Sequence, residues 1–479
     1  MTSTAPAIVW FRQDLRLADN PALSAAVDTG KPILPVFILD DDSAGEWQMG
    51  AASRWWLHQS LESLNTALRG QLRLYCGDAQ EILQQLARET GAGHVFWNRC
   101  YEPWRIARDK RLMHELREAG LSVSSYNGSM LFEPHTITKS DGTPYKVFTP
   151  YYHKGCLSEE HAPQPPLHKP KQMELAKHAA GVTLAELELM PSMRWYEEIA
   201  QQWQPGEDGA WQRLQAFLEN GIRGYKQGRN RPDQNHCSRL SPHLHFGEIS
   251  PRQVWQETEA LANQSGIADD VDHFRSELAW REFSYYLLYH CPQLPEDNLQ
   301  AKFDRFPWRE DNAALACWQR GATGVPIVDA GMRQLWRTGY MHNRVRMVVA
   351  SFLIKNLMLH WHHGQMWFWD TLVDADLANN SAGWQWVAGT GADAAPYFRI
   401  FNPVLQGKKF DPDGDYVRRY VPEIAELPNR YLHSPWTAPD AVLAKANITL
   451  GKNYPEPIVD LKESRERALA AFKDLGTAA

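Results

Sequence analysis

Two carboxylates and two amides lie in one short stretch, at Asp374, Asp376, Asn379 and Asn380. Small residues, two indoles and a glycine-rich turn follow, so residues 373 to 403 read VDADLANNSAGWQWVAGTGADAAPYFRIFNP. Small residues let a backbone approach a flat ligand closely, and carboxylates and amides supply the few converging polar groups of a buried cofactor site. The pattern favours a large aromatic cofactor, and its alternative is a helix cap followed by a surface loop.

A second cluster, YKQGRNRPDQNHCSRLS, runs from 225 to 241. Hydroxyl side chains before a helix, with arginines nearby, suit a pyrophosphate, because hydroxyls and first-turn backbone N–H groups donate to it and the helix dipole favours its charge. A serine at this place is also an ordinary helix N-cap. Without further information the stretch is therefore only a candidate phosphate site.

A third set comprises SELAWREF, MHNRVRM and three separate indoles. On a helix, Glu277, Trp280 and Arg281 share one face, since they are spaced i, i+3 and i+4. An amphipathic helix with a salt bridge would show the same spacing, and buried indoles are commonly only part of a core. The spacing alone does not choose between these structural roles and a binding site.

Together these stretches resemble the DNA photolyase and cryptochrome family, whose flavin-binding core matches residues 373 to 403 in order and without gaps. The pattern is most like that of bacterial enzymes that repair cyclobutane pyrimidine dimers. The resemblance implies an FAD enzyme that repairs such dimers in DNA. In the family, photoexcited reduced FAD passes an electron to a flipped-out dimer, the ring splits, and the electron returns.

The resemblance also implies which residues bind FAD. Cys237 stands where many members have threonine, which could remove one hydroxyl contact. Asn380 matches the position at the N5 edge of the flavin, and Arg346 matches the arginine that pairs with the carboxylate at Asp374. The implied FAD contacts are Tyr225, Cys237, Ser238, Leu240, Ser241, Glu277, Arg281, Asn343, Arg346, Asp374, Asp376 and Asn380.

Catalytic and DNA-contacting positions follow from the same resemblance. The implied catalytic residues are Glu277, Asn380 and three indoles that carry an electron from the surface to the flavin, Trp384, Trp361 and Trp308. The implied contacts to DNA or lesion are Arg229, Trp280, Asn343, Arg344, Met347, Trp386 and Arg399. The three arginines of this list, together with Arg231, Lys408 and Lys409, would form a local basic face that contacts phosphates.

The lesion is predicted from the helix that matches MHNRVRM. Repair of (6-4) photoproducts requires delivery of a proton, and the family's (6-4) enzymes have histidines on this helix, a residue whose pKa suits that task. Here the matching positions are Asn343 and Met347, neither of which is a general acid near neutral pH. The chain is therefore expected to act on cyclobutane dimers. The alternatives are a cryptochrome that senses blue light without repair, a (6-4) photolyase and a generic flavin electron-transfer protein.

The N-terminal part should form a different kind of domain. Five β-rich runs, AIVWF, PILPVFIL, RLYC, HVFWN and SVSSYN, alternate with helical segments, which predicts a doubly wound parallel sheet. The first strand lacks a GxGxxG motif, so this domain should not bind the main dinucleotide. After Trp203 the apolar spacings of 3 and 4 predict an all-α domain. The predicted division is 1–130 for the α/β antenna domain, 131–200 for a connector, and 201–479 for the helical FAD- and DNA-binding domain.

A second, light-harvesting chromophore is expected in the N-terminal domain. The segment FRQDLRLADNPAL resembles the opening of that domain in photolyases, although Arg12, Asp14 and Arg16 could equally form a charged loop that caps a helix. Residues 97 to 105, WNRCYEPWR, lie where folate-binding members resemble each other. Some of those members have Asn-Glu where this chain has Trp104-Arg105. Methenyltetrahydrofolate is favoured over 8-hydroxydeazaflavin as the antenna.

Composition limits the remaining possibilities. A length of 479 residues fits two domains, and a net charge of −7 excludes a uniformly basic nucleic-acid coat. The six cysteines form no CxxC pair, which argues against a metal site. The start lacks a signal-peptide pattern, and no apolar run is long enough to span a bilayer. We expect a cytoplasmic monomer that acts on ultraviolet-damaged single- or double-stranded DNA, without the long C-terminal extension common in cryptochromes.

Overall fold

The computed structural model describes residues 5–158, 161–178, 180–264, 266–393 and 398–477. Residues 394–397 of the stretch from 373 to 403 therefore lie outside the described residues. The described chain divides into two compact units. The first comprises Met1–Arg223, Ser238–Pro292 and Val373–Asp376, and the second Gly224–Cys237, Gln293–Leu372 and Leu377–Ala479.

A five-stranded parallel sheet organises the first unit. Its strands are β1 (Ala7–Phe11), β2 (Ile33–Leu39), β3 (Arg73–Cys76), β4 (His94–Asn98) and β5 (Ser122–Tyr126), in the order β3-β2-β1-β4-β5. Every neighbouring pair is parallel. All residues of β1 and β2 are buried, as expected for central strands of a sheet with helices on both faces. The predicted doubly wound sheet is confirmed.

Helices alternate with these strands along the chain, and the elements that follow β5 are helical. Around the sheet lie Pro21–Asp28, Ala51–Ala67, Ala79–Thr90 and Pro103–Glu118. The sheet core includes Trp10 and Trp97, whose rings meet edge to face at 5.8 Å. The rest of the first unit contains Phe148–Pro150, the π-helix Tyr151–Cys156, Glu197–Gln202, Glu207–Asn220, Ser241–His245, Pro251–Glu257, Glu259–Ala262 and Ala268–His290. Short 3₁₀ segments occur at Asp42–Trp47, which is kinked at Gly45, and at Ala185–Leu187.

The second unit is helical. Its longer helices are Asn312–Gln319, Pro326–Thr338, Asn343–Ser351, Trp361–Thr371, Leu377–Ala388, Pro403–Phe410 and Leu461–Thr477. Shorter ones are Tyr225–Gly228, Phe352–Asn356 (a π-helix), Asp415–Tyr420, Asn429–Leu432 and Asp440–Lys445, with 3₁₀ turns at Ala301–Arg305, Pro422–Ile424 and Pro435–Thr437. Among the described residues no helix combines the length and apolarity needed to cross a membrane. The helical character predicted after Trp203 is confirmed.

Candidate functional site

Asp374 is held by one of the predicted phosphate-loop hydroxyls. Its Oδ2 accepts a hydrogen bond from Ser241 Oγ at 2.6 Å. Asp374 is buried, whereas Ser241 is exposed and Ser238 half-buried. Leu240 lies between the two serines and is buried, so it anchors this loop in the first unit. The two predicted stretches, far apart in sequence, therefore meet within one compact unit.

Asp376 is buried and accepts hydrogen bonds from two side chains. Its Oδ2 accepts hydrogen bonds from the Tyr285 hydroxyl and, at 3.1 Å, from His245 Nδ1. Burial by itself raises the pKa of Asp376, but His245, Arg281 and Tyr285 outweigh it and hold the pKa below the usual range. Asp376 is therefore a fixed, ionised hydrogen-bond acceptor. Sequence reasoning missed both His245 and Tyr285.

The helix Ala268–His290 carries Glu277, Trp280 and Arg281, all half-buried. Trp280 stacks on Phe148 with ring centroids 3.8 Å apart and planes 9° from parallel. Arg281 Nη1 donates to the Ser129 carbonyl oxygen at 2.9 Å, and its guanidinium carbon lies 4.9 Å from the centre of the Tyr285 ring. Phe148, which comes from the predicted connector, therefore covers one face of Trp280.

In the second unit, Asn380 is buried on the helix Leu377–Ala388. Its Nδ2 donates to the Gln365 backbone carbonyl oxygen at 2.9 Å. Gln365 Nε2 donates to Ser381 Oγ at 2.8 Å, and Ser381 in turn donates to the Leu377 carbonyl oxygen at 2.6 Å. Because a backbone carbonyl oxygen only accepts, the amide orientation of Asn380 is fixed.

Two of the predicted redox indoles are deeply buried. Trp384 meets Phe368 edge to face at 5.0 Å and Trp318 at 6.2 Å. Its close approach to the helix Trp361–Thr371 requires a glycine, since a Cβ at Gly364 would lie 2.0 Å from the Trp384 ring. Trp361 is wholly buried, and its Nε1 donates to Asn298 Oδ1 at 2.9 Å.

The third indole, Trp308, and Trp361 both contact the ring of one histidine, His360. The His360 ring lies 5.0 Å from Trp308, edge to face, and 5.5 Å from Trp361, stacked. Burial, followed by the neighbouring His362 and His363, lowers the pKa of His360 to about 4, so this ring is neutral at physiological pH. Trp308 is half-buried. His360 was not predicted.

The remaining predicted DNA-contacting residues of this unit lie nearer the surface. Asn343 and Arg399 are exposed, and Arg229, Arg344, Met347 and Trp386 are half-buried. Arg346 donates from Nε to the Met341 carbonyl oxygen at 2.7 Å. Tyr225 is buried, and Cys237 is half-buried with its Sγ 3.3 Å from His342 Nε2. The structure therefore leaves most of the predicted phosphate-binding side chains accessible.

A separate cavity lies in the first unit. Its lining is aromatic at Trp10, Trp47 and Trp104, and charged at Asp40, Asp41, Arg12, Arg105 and Arg108. The buried Nε1 of Trp10 has no hydrogen-bond partner among the described residues. Trp104 and Arg105 belong to the stretch that sequence analysis associated with an antenna, and Arg12 to the charged segment after β1.

The other charges of that segment have structural roles. Arg16 is wholly buried and donates to the carbonyl oxygens of Ala18, Gly247, Asp19 and Gly128. Asp14 accepts from Asn98 Nδ2 at 2.6 Å and from the Arg12 backbone N–H at 2.6 Å. Of the three charged residues, only Arg12 lines the cavity.

Comparison with known proteins places these features in one family. Residues 7–171 match the family model of DNA photolyase, and residues 274–474 match that of the FAD binding domain of DNA photolyase. A curated deoxyribodipyrimidine photo-lyase from Agrobacterium fabrum is 51% identical over 475 residues, covering 98% of each chain. Cryptochrome-1 of Arabidopsis thaliana is 39% identical over 98% of this chain and 70% of its own length.

Structure comparison also finds similarity to a photolyase. The crystal structure of a bacterial class III photolyase from Agrobacterium tumefaciens superposes with a TM-score of 0.95 at 50% sequence identity. The match covers 100% of this chain and 99% of that one.

Proposed function

The chain belongs to the DNA photolyase and cryptochrome family, and we propose that it uses light and FAD to split cyclobutane pyrimidine dimers in damaged DNA. When bound, reduced and excited, FAD would supply the electron that opens the cyclobutane ring, and the electron would be returned, so the reaction would be redox-neutral. The tasks of the protein are to hold the cofactor, to keep it reduced and to present the lesion.

The residues present fit a flavin. Asp376 is an ionised acceptor suited to a ring N–H, and Asn380 offers an acceptor oxygen because its Nδ2 already donates to Gln365. Ser238, Ser241 and nearby arginines have the donor chemistry that phosphates need. In this proposal the FAD contacts are the residues named from the resemblance.

The observation that carries the choice of lesion is the chemistry of the helix Asn343–Ser351. Asn343 is exposed at its first turn, and Met347 lies one turn later, with its Sδ 3.5 Å from Arg344 Nη1. Neither side chain delivers a proton near neutral pH. A cyclobutane dimer needs an electron and stacking contacts, for which Trp280 and Trp386 supply aromatic surface.

A cryptochrome role is the second candidate, favoured by the 39% identity to a plant cryptochrome. Binding in the dark separates the two functions. Reduced, FAD-loaded protein should bind an oligonucleotide with one cyclobutane dimer at least about tenfold more tightly than the undamaged duplex, a modest discrimination for a specific site. Equal affinity for both oligonucleotides would contradict the repair function.

The cavity of the first unit is proposed to hold the antenna, and its chemistry suits a folate. Trp47 and Trp104 offer aromatic surface, Asp40 is an acceptor for ring N–H and amino groups, and Arg105 suits a carboxylate of the glutamate tail. Purified protein should bind methenyltetrahydrofolate, and Trp104→Ala should weaken that binding while FAD content is unchanged. Tighter binding of 8-hydroxydeazaflavin than of folate would contradict the assignment.

Each part of the chain has a proposed role. We assign residues 1–130 to the antenna, 131–200 to the connector, and 201–479 to FAD and DNA. Arg229, Arg344 and Arg399 are proposed to contact DNA phosphates, and the protein is proposed to act as a cytoplasmic monomer.

A further inference from the structure

Three hydrogen bonds connect two arginine-bearing segments of the second unit. His342 is buried and caps the helix Asn343–Ser351, its Nδ1 accepting from the Arg344 backbone N–H at 3.2 Å. Because Nδ1 accepts, the ring proton of a neutral imidazole is on Nε2. That nitrogen lies 3.3 Å from Cys237 Sγ, so His342 donates to the sulfur.

The sulfur continues the connection. Cys237 Sγ lies 4.0 Å from the Arg229 carbonyl oxygen, to which its S–H donates. The bonds therefore run in one direction, from the Arg344 backbone through His342 and Cys237 to the Arg229 backbone. We refer to these three hydrogen bonds as the Cys237–His342 relay.

The donor and acceptor roles in the Cys237–His342 relay are fixed because the His342 imidazole is neutral. Burial, and then Arg229, Arg344 and Arg346, lower the pKa of His342 to about 3. At physiological pH the ring therefore has one N–H and one acceptor nitrogen, which is the arrangement that the relay needs.

Side chains tie the same two segments a second time. Arg344 Nη2 donates to Asn230 Oδ1 at 2.6 Å, and Nε donates to the same oxygen at 3.2 Å. The Arg344 guanidinium carbon also lies 4.5 Å from the centre of the Phe410 ring. Residues 229–230 and 342–344 are thus joined through both backbone and side chains.

We propose that Cys237 and His342 are positioning residues for DNA binding, which hold the backbones of Arg229 and Arg344 in place before DNA arrives. Holding charged side chains in their bound arrangement reduces the ordering cost of association. The inference rests on the proposed function, since it takes both arginines as phosphate contacts. It also gives Cys237 a partner within the protein, in addition to the FAD contact that the resemblance implies.

The test compares Cys237→Ala, Cys237→Ser and a control, Cys317→Ala, which removes another half-buried thiol of the same unit. The affinity of the FAD-loaded protein for a duplex oligonucleotide is measured in the dark over a range of salt concentrations. Cys237→Ala should bind the duplex about tenfold more weakly. The slope of log affinity against log salt concentration should become shallower by the amount expected for the loss of about one phosphate contact. Cys237→Ser should restore both, because a hydroxyl also accepts and donates.

Three results would overturn the inference. In the first, Cys237→Ala binds DNA with the same affinity as Cys317→Ala. In the second, Cys237→Ala binds DNA more weakly, but its salt slope is unchanged and Cys237→Ser does not restore the affinity. The third is loss of FAD from Cys237→Ala while its FAD-loaded fraction binds DNA normally. Wild-type protein that binds no DNA would overturn the proposed function as well. If Cys237→Ala does not fold, His342→Asn replaces it with the same expected result, since asparagine keeps the helix cap but not the bond to sulfur.

Discussion

Asn380 donates from Nδ2 to the backbone carbonyl oxygen of Gln365, 2.9 Å away, and this bond leaves its Oδ1 as the atom able to accept from a ligand. An aspartic acid at this position would instead carry a proton that it can donate.

Asn380→Asp should therefore change the protonation or oxidation state of bound FAD during photoreduction. The neutral amide accepts from a flavin N–H without donating a proton, whereas a buried carboxylic acid donates one. Absorbance spectra recorded under blue light should show more protonated or oxidised FAD in the variant. Identical spectra for variant and wild type would contradict a position at the flavin edge.

Trp308→Phe should strongly slow the photoreduction of oxidised FAD. Phenylalanine keeps most of the packing against Phe306 and His360, whose rings lie 4.5 Å and 5.0 Å from Trp308, but it is much harder to oxidise. Repair by chemically pre-reduced variant should remain close to that of the wild type. Photoreduction at the wild-type rate would mean either that another indole, such as Trp318, serves as the exit or that the chain of indoles is not used.

Gly364→Ala should destabilise the second unit by about 1–3 kcal/mol, the usual cost of overpacking a core. The added Cβ would lie 2.0 Å from the Trp384 ring, which must then move. Gly383→Ala is the matched control, because a Cβ there meets nothing within 4 Å. The control should be neutral or more stable by up to about 1 kcal/mol, since alanine favours a helix. Equal melting temperatures for the two variants would contradict the close packing of Trp384.

Glu282 should make stability depend on pH. It is wholly buried, where its Oε2 accepts the Leu131 and Phe132 N–H groups at 2.9 Å and 3.2 Å. Burial raises its pKa to about 7, although Arg281 and the two N–H groups act against that rise. Below about 4.5, the ordinary pKa, its contribution is fully present, and it is lost as pH rises to about 7.

Glu282→Gln removes this titration, so the difference in melting temperature between wild type and variant should change between pH 5 and pH 8, values chosen on either side of about 7. The wild type should lose stability relative to the variant as pH rises. Glu219→Gln, at an exposed helix position, serves as the control and should show a constant difference. A constant difference for Glu282→Gln as well would contradict the raised pKa.

The sequence allowed the sheet, the helical FAD-binding part and the family to be predicted, because strand runs such as AIVWF and helix periodicity are local signals. The partners that orient the site were not predictable in this way. His245 lies 131 positions before Asp376, and Cys237 lies 105 positions before His342, so no local spacing reports these contacts.

The same limit applies to aromatic contacts. The stacking of Phe148 on Trp280 joins a connector to a helix, and His360 contacts Trp308 across more than fifty residues. Whether a given indole is core, lesion wall or electron donor depends on such neighbours and on exposure, which the sequence pattern does not contain. The assigned roles of Glu277, Trp280 and Trp386 therefore remain predictions.

The most direct test of the central claim is a side-by-side repair assay. Reduced, FAD-loaded protein is illuminated with blue light in the presence of oligonucleotides that carry either a cyclobutane dimer or a (6-4) photoproduct, with dark samples as controls. We expect light-dependent repair of the cyclobutane dimer alone, because Asn343 and Met347 deliver no proton. Efficient repair of the (6-4) photoproduct, or repair of neither lesion despite bound reduced FAD, would contradict this account, and the second result would favour a cryptochrome.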